Sequence, residues 1–474
     1  MRISDIISIG LDYLCLGIFL VAIIGIGFGA WYFLYFKRKR PGEKLKKGKV
    51  LLFAFFIIYI VIVFGATMLG RGNSYGNTKI YPLFYSYKDA WNDFSMTEWR
   101  NISLNILMFV PFGFLVPILL KKTDAFWKVS LLGFTLTLLI EGTQLLLKRG
   151  IFEPDDLLGN TVGAMIGYGI YRLGKYIVSK KKQKQSDKLG KVLLAQLPIL
   201  ITVVTFGVIF LTYHLKEFGN LKSAYIVKQE NIAVTCEQEF AKEQAKAMVY
   251  KASVLTEKET KSFAEKVFLR KGYGIDESRT DIYENTAIYY SEGEDGNRFC
   301  IWMEYDGGVF TFRDFTKGHF EEDSIAVKEN ATETEIRSAL EKTGIFVPKE
   351  TSFEEGEEGR YFFMADRLID GDKMYDGYIE CTYYVDGQFG EIDYQILPLD
   401  SYKNVEIISE ARAYAQIEEG QFNYWRQDDE LLDVKVTGLE LGYELDTKGF
   451  YQPVYLFDTV IGDFETQISI PAIK

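Results

Sequence analysis

Histidine is nearly absent from the chain. Its 474 residues hold two, His214 and His319. Two isolated imidazoles supply neither a catalytic histidine pair nor a histidine metal cluster. Cysteine is scarce as well: Cys15, Cys236, Cys300 and Cys381, with no CxxC spacing. That pattern excludes a disulfide framework and leaves room for one bridge among the last three. A phosphate loop is missing too. "GIGFG" (25–29) has no strand before it and no lysine after it, so its glycines read as a helix-packing feature. The acidic tract "EEGEEGRYFF" (354–363) lacks the ligand spacing of a calcium loop. Asn-x-Ser/Thr at 101–103 and 330–332 is read as chance. No metal site and no cofactor are expected, and no recognised catalytic motif is present.

What the chain does have is unevenly spread. Residues 1–213 carry 26 Lys and Arg against 12 Asp and Glu, and residues 214–474 carry 28 against 53. A basic, apolar front (net +14) is thus joined to an acidic rear (net −25). The acidic rear argues against nucleic acid as a partner. The front holds six apolar runs, 11–36, 50–69, 102–120, 126–147, 157–178 and 192–213. Each approaches or exceeds the ~20 residues that cross a bilayer as a helix. The first run has too long an apolar core for a secretory signal and reads as a retained span. The expectation is an all-α polytopic membrane bundle of six transmembrane helices (1–213), followed by an extracytoplasmic α+β domain (214–474).

Loop charge orients the spans. "KRKRPGEKLKKGK" (37–49) is the densest basic loop and should be cytoplasmic. Counting forward puts 121–124 and 179–191 inside and 70–101 and 148–156 outside, each on the side its charge prefers. The N-terminus and the acidic domain then lie outside the plasma membrane.

Polar residues gather at the outer ends of spans three to five. Glu141 and Gln144 share a helix face, as do Asp156 and Asn160. Arg149 is close in sequence to Glu141. Arg100 and Asn105 sit at the start of span three, where Trp91 and Trp99 read as interfacial anchors. Pro111 interrupts the helical ladder there, and Gly113 allows close packing. Gly163 and Gly167 give small-xxx-small spacing. Asp155 or Asp156 suits the cap of span five. An intramembrane acid points to function by default, which makes Glu141 the candidate general acid or base. The ligand-binding candidates are Arg100, Asn105, Glu141, Gln144, Arg149, Asp156 and Asn160, converging on one outward pocket. Interhelical glue is the plainer account of Asn105, Gln144 and Asn160, and an interfacial charge that of Arg149.

At these residues a family resemblance emerges. "RNISLNILMFVPFGFLVP" followed by "IEGTQLLLKRGIFEPDDLLGNTVGAMIG" resembles the VanZ-like membrane proteins over about residues 50–178. The matching positions are Asn105, Pro111, Gly113, Glu141, Gln144, Arg149, Asp156, Asn160, Thr161, Gly163 and Ala164. The resemblance implies a protein of the Gram-positive cell envelope linked to teicoplanin-type glycopeptide resistance. Its partner would be a membrane lipid or lipid-linked wall precursor. The alternatives are a membrane enzyme acting on such a lipid, and a scaffold or sensor that presents the external domain to an envelope protein.

The rear reads as mixed helix and strand. Helices are expected at 255–273, 332–344 and 409–422, the second opened by a Thr332/Glu335 box and the third by Ser409. Strands and hairpins are expected in 286–315, 359–397 and 434–461, with "GEDGN" and "DGG" as turns. A helix followed by an antiparallel meander appears twice, which suggests two similar lobes. The last helix and hairpin resemble the terminal lobe of YycH/YycI regulators and PepSY-type modules. That likeness implies binding or regulation, not catalysis.

Overall fold

Helices form where the apolar runs lie, and strands where apolar and polar residues alternate. The computed structural model describes residues 3–31, 47–69, 80–148, 151–182, 188–293, 298–317, 326–371, 373–425 and 430–474. The basic stretches 37–46 and 183–187, Arg149, the turn 294–297 and His319 lie outside the described residues. The chain divides into two compact units, Met1–Lys216 and Glu217–Lys474.

The first unit is helical: α1 (Ile3–Trp31), α2 (Lys47–Phe64), α3 (Tyr85–Asn92), α4 (Met96–Leu119), α5 (Phe126–Leu146), α6 (Pro154–Lys181), α7 (Leu189–Leu194) and α8 (Leu197–Leu215). Among the described residues four segments are long and apolar enough to cross a membrane: Gly48–Met68, Met96–Leu119, Phe126–Leu146 and Leu197–Leu215. Runs 11–36 and 157–178 fall largely within α1 and α6 but are not among those four. Acidic and amide residues in α6 dilute its apolar character. Large apolar side chains such as Leu131, Leu139 and Val203 face outward, as a bilayer solvent requires.

Glycine sets the packing of α4 against α6. A Cβ added at Gly163 would strike the Ile106 carbonyl, and one at Gly167 the Val110 carbonyl. Gly113 is pressed in the same way on the Ala164 carbonyl. The two backbones therefore touch along a small-residue seam. The helix α4 continues through Pro111 and Pro117, so the expected break does not divide it. "GIGFG" is not the packing feature it appeared to be at Gly25, which has nothing within 4 Å of an added Cβ. The close approach between α1 and α2 is at Gly17, where Ile58 would lie 3.3 Å away. Trp99 is also not an interfacial anchor. It is 3% exposed and packs on Phe206 and Phe210 of α8.

Among its described residues the second unit carries three α-helices, α9 (Glu257–Arg270), α10 (Glu333–Thr343) and α11 (Glu410–Glu418). Its strands are β1 (Val227–Lys228), β2 (Ile232–Cys236), β3 (Lys246–Ala252), β4 (Asp281–Ile282), β5 (Thr286–Tyr290), β6 (Phe299–Glu304), β7 (Phe310–Asp314), β8 (Ser352–Glu355), β9 (Arg360–Asp370), β10 (Lys373–Tyr383), β11 (Phe389–Tyr394), β12 (Leu397–Glu406), β13 (Gln421–Phe422), β14 (Leu432–Leu445), β15 (Phe450–Ile461) and β16 (Phe464–Pro471). One 14-stranded sheet runs β2-β14-β15-β3-β12-β10-β11-β7-β6-β5-β4, with β16 on β15 and β8 and β9 beside β10. Every pairing is antiparallel except β2 with β14. Three hydrophobic clusters lie along it, the smallest of them Ala252, Met374 and Leu399 of β3, β10 and β12. The two larger ones gather Phe268, Tyr289, Phe312, Leu340 and Phe363, and Ala413, Ile417, Val434 and Phe457. The turn of "DGG" places Gly307 and Gly308 at φ 72 and 68, which a side chain would resist.

Local signals govern the helix starts. Ser409 accepts from the Arg412 N–H at 3.3 Å. Thr332 accepts from Glu335 N–H at 3.3 Å, but the Glu335 carboxylate turns to Lys328. The reciprocal box is at Thr256 and Glu259, where both bonds form. All four cysteines are free thiols.

Candidate functional site

Thr137, Glu141 and Gln144 stand four and three residues apart on α5 and so share one face. All three are buried, at 0%, 2% and 1% exposure. The chain then turns and enters α6 at Pro154, a position where a missing N–H costs nothing. Asp155 and Asp156 occupy the first turn, where the helix dipole favours anions.

Asp155 does not cap its own helix. Its Oδ1 accepts from the Phe84 N–H at 2.6 Å and its Oδ2 from the Ser86 N–H at 2.8 Å. The helix α3 has no side-chain cap of its own, and Phe84 enters it at φ 68. A phenylalanine in that region is strained, and the Asp155 carboxylate holds it there. Such a cap is worth about 1 kcal/mol, more with a charged acceptor. Two further links join the same segments. Tyr81 N–H donates to the Phe152 carbonyl at 3.2 Å, and the Ser86 hydroxyl reaches Glu153 Oε2 at 3.4 Å. Tyr87, on α3, faces the acidic pair. Burial, then the charges of Asp155 and Asp156, push its phenol up to about 12, so it stays a proton donor.

Asp156 accepts from Asn105 Nδ2, which ties α6 to α4. Asn160, one turn along, donates from Nδ2 to Thr137 Oγ1 at 2.8 Å. Glu141 Oε2 accepts from the Glu153 N–H at 3.4 Å. Gln144 donates from Nε2 to the Thr67 carbonyl at 2.8 Å. Thr67 lies in a π-turn, Gly65–Leu69, that ends the helix begun by α2. Turns of this kind often mark working sites. Asn105, Glu141, Gln144, Asp156 and Asn160 thus belong to linked contacts of α4, α5, α6 and the π-turn. Arg100 does not join those contacts; its Nη2 donates to Thr97 of its own helix at 3.2 Å. Arg149 lies outside the described residues.

Three acceptor-bearing groups are left over. Gln144 Oε1, Asn160 Oδ1 and Thr161 Oγ1 are buried without a partner, as is the donor Nε of Arg100. An unmade hydrogen bond at a buried amide costs about 1–3 kcal/mol. A group that donates to these oxygens would satisfy them. Among the described residues no group of three His, Cys, Asp or Glu could hold a metal ion.

Sequence reasoning missed Thr137, Thr67, Glu153 and the role of Asp155. The spacing from Thr137 to Glu141 is one turn and was readable. The link from Asp155 to Phe84 crosses 71 positions and carries no local signal.

Residues 50–175 match the model of the VanZ/LLP1 family, and this part of the chain is VanZ-like. The matched segment overlaps three of the four helices of spanning length. The helices of spanning length and this match together support a multi-pass membrane protein. No curated protein matches it. Among solved structures, an uncharacterized protein from Eubacterium rectale is 10% identical with a TM-score of 0.26, covering 52% of this chain and 88% of that one. The C-terminal domain of Bacillus megaterium YpeB is 12% identical with a TM-score of 0.21, covering 47% of this chain and 94% of that one. At TM-scores this low the likeness assigns no fold.

Proposed function

We propose that the VanZ-like bundle binds the head-group of a lipid-linked wall precursor or a related envelope lipid. The observation that carries the reading is the pair of buried amide oxygens, Gln144 Oε1 and Asn160 Oδ1, left without donors beside the buried Glu141. Sugar hydroxyls and amide N–H groups are donors of the required kind. The Arg100 guanidinium asks for the opposite, an anionic oxygen such as a phosphate. A glycosyl phosphate carried on a lipid chain offers both. Arg149 would supply a second cation.

In this reading the chain crosses the membrane six times, with Ile3–Trp31 and Pro154–Lys181 completing the set. The N-terminus and the acidic domain face outward, and the basic loops face the cytoplasm. The domain is read as two similar lobes, supported by its two larger hydrophobic clusters, and it offers a surface to an envelope protein. The host setting is a Gram-positive envelope, with tolerance of teicoplanin-type glycopeptides as the phenotype. Topology is checked with a cysteine placed at the exposed Tyr283 and another at Gln185, in a background without native cysteines. A reagent that cannot cross the membrane should label only the first in intact cells. Labelling of the second alone reverses the topology.

The binding reading is tested with Glu141→Gln, which keeps the shape and removes the charge. Polar glue between membrane helices averages ~0.6 kcal/mol and needs no net charge. Mass spectrometry of co-purifying lipid should show a loss of tenfold or more in the variant, with expression and thermal stability retained. Full lipid retention in Glu141→Gln leaves the scaffold reading ahead.

A further inference from the structure

The sheet domain is strongly acidic, yet one of its clefts is lined by cations. The cleft has a volume of about 420 Å³, and Arg270, Lys271, Ser338, Lys342, Thr343 and Gln388 are on its wall. Such a volume suits a small ligand. Three cations nearby have carboxylate partners: Arg298 with Asp314, Lys317 with Asp386, and Lys328 with Glu335. Among the described residues Arg270, Lys271 and Lys342 have none, although the domain holds 53 acidic residues against 28 basic ones over 214–474. The one carboxylate on the wall, Glu335, is already taken by Lys328.

Part of this charge answers the helices. The helix α9 ends at Arg270 and α10 at Thr343, so two C-termini meet the cleft. Each carries about half a negative charge. Together they balance about one of the three cations and leave an excess near two. The positions are also built in. Gly344 closes α10 at φ 89, and a Cβ there would collide with the Arg270 guanidinium. Lys271 donates to Gln388 Oε1 at 2.9 Å and stands 5.3 Å from the ring centres of both Phe299 and Phe312. An ammonium has three N–H donors, so two remain. Burial pushes its pKa down, as expected of a cation partly removed from water.

We propose that this cleft is an oxyanion site that takes a small ligand bearing two or more phosphate or carboxylate charges. It stands apart from the lipid reading of the bundle and survives if that reading fails. The test is isothermal titration of the full chain in detergent with sodium pyrophosphate in one arm and citrate in the other. Binding should be measurable at low salt and weaken as salt rises. The double variant Arg270→Gln/Lys342→Gln should lose tenfold or more in affinity. Both side chains are exposed, so its melting midpoint should match the parent's. Lys474→Gln, which breaks the Lys474–Glu406 pair instead, should bind as the parent does. Tighter pyrophosphate marks a phosphate ligand, and tighter citrate a carboxylate one. The proposal is overturned if neither anion binds at low salt, if the double variant binds as well as the parent, or if Lys474→Gln loses as much.

Discussion

Asp446 in the sheet unit is 4% exposed, and Gln144 in the helical unit is 1% exposed. Asp446 accepts from the N–H groups of Gly219, Lys448 and Phe450 at 2.6, 2.7 and 2.9 Å, and from the Gln452 amide. Its lone pairs are used up in closing the turn between β14 and β15. Gln144 makes one bond, to the Thr67 carbonyl, and keeps a bare oxygen. Burial alone therefore does not mark a site. Asp446 is a structural acid because its valence is filled by its own chain. Gln144 and Asn160 are candidates because theirs is not.

The largest expected effect comes from breaking the filled case. Asp446→Ala would remove the acceptor of three backbone N–H groups in the interior and one of the two acceptors of the Gln452 amide. Buried groups stranded in this way cost on the order of 3–5 kcal/mol. Chemical denaturation of the purified chain should show the sheet transition shifted down, with the transition of the bundle unchanged. A variant as stable as the parent would mean that water fills the turn and that the contrast with Gln144 is false.

Next in size is the seam of the bundle. Gly163→Leu places a side chain against the Ile106 carbonyl, which cannot rotate away as a side-chain tip can. Overpacking of this kind costs about 1–3 kcal/mol. Gly174, with nothing within 4 Å of an added Cβ, should accept alanine without loss. Melting of the two variants in detergent separates them. Equal midpoints would show that the seam between α4 and α6 is loose, which would unseat the Asn105–Asp156 link beside it.

The sequence made much of this readable where the signal was local. The seam followed from the four-residue spacing of Gly163 and Gly167. The strands β5–β7, β9–β11 and β14–β15 lay within the alternating stretches, and Ser409 announced α11. The sheet order was not readable. The β2 strand at 232–236 runs parallel to β14 at 432–436, and β3 is inserted between β15 and β12. Pairings across such separations leave no periodic trace. The site was legible as a list of polar residues on shared faces. Its leftover valence was not, because that depends on Thr67 and Thr137 consuming one end of each amide. Trp99 misled for a related reason: a tryptophan at a span end reads as an anchor until α8 covers it.

The smallest expected effect concerns a paired acid in each unit. Asp124, between α4 and α5, meets Lys175 at 2.6 Å and Arg172 at 3.8 Å, and accepts from Tyr171 at 3.1 Å. Burial alone would raise its pKa, but the Lys175 bond and charge, the Tyr171 bond and the Arg172 charge together carry it below the ordinary 3.8. Asp386 in the sheet unit behaves alike: burial opposes, and the Lys317 bond, the Gln388 N–H and the Lys317 charge prevail. A carboxyl with a depressed folded pKa binds fewer protons folded than unfolded. Its stabilising share is therefore complete above 3.8 and fades as pH falls through the folded value. Both pairs are partly open to water, so the share is small. Melting curves of the parent and of Asp124→Asn should converge as pH falls below 3.8, and those of Asp386→Asn should do the same. Curves that stay parallel down to the lowest pH would mean that the ion pairs contribute nothing through charge.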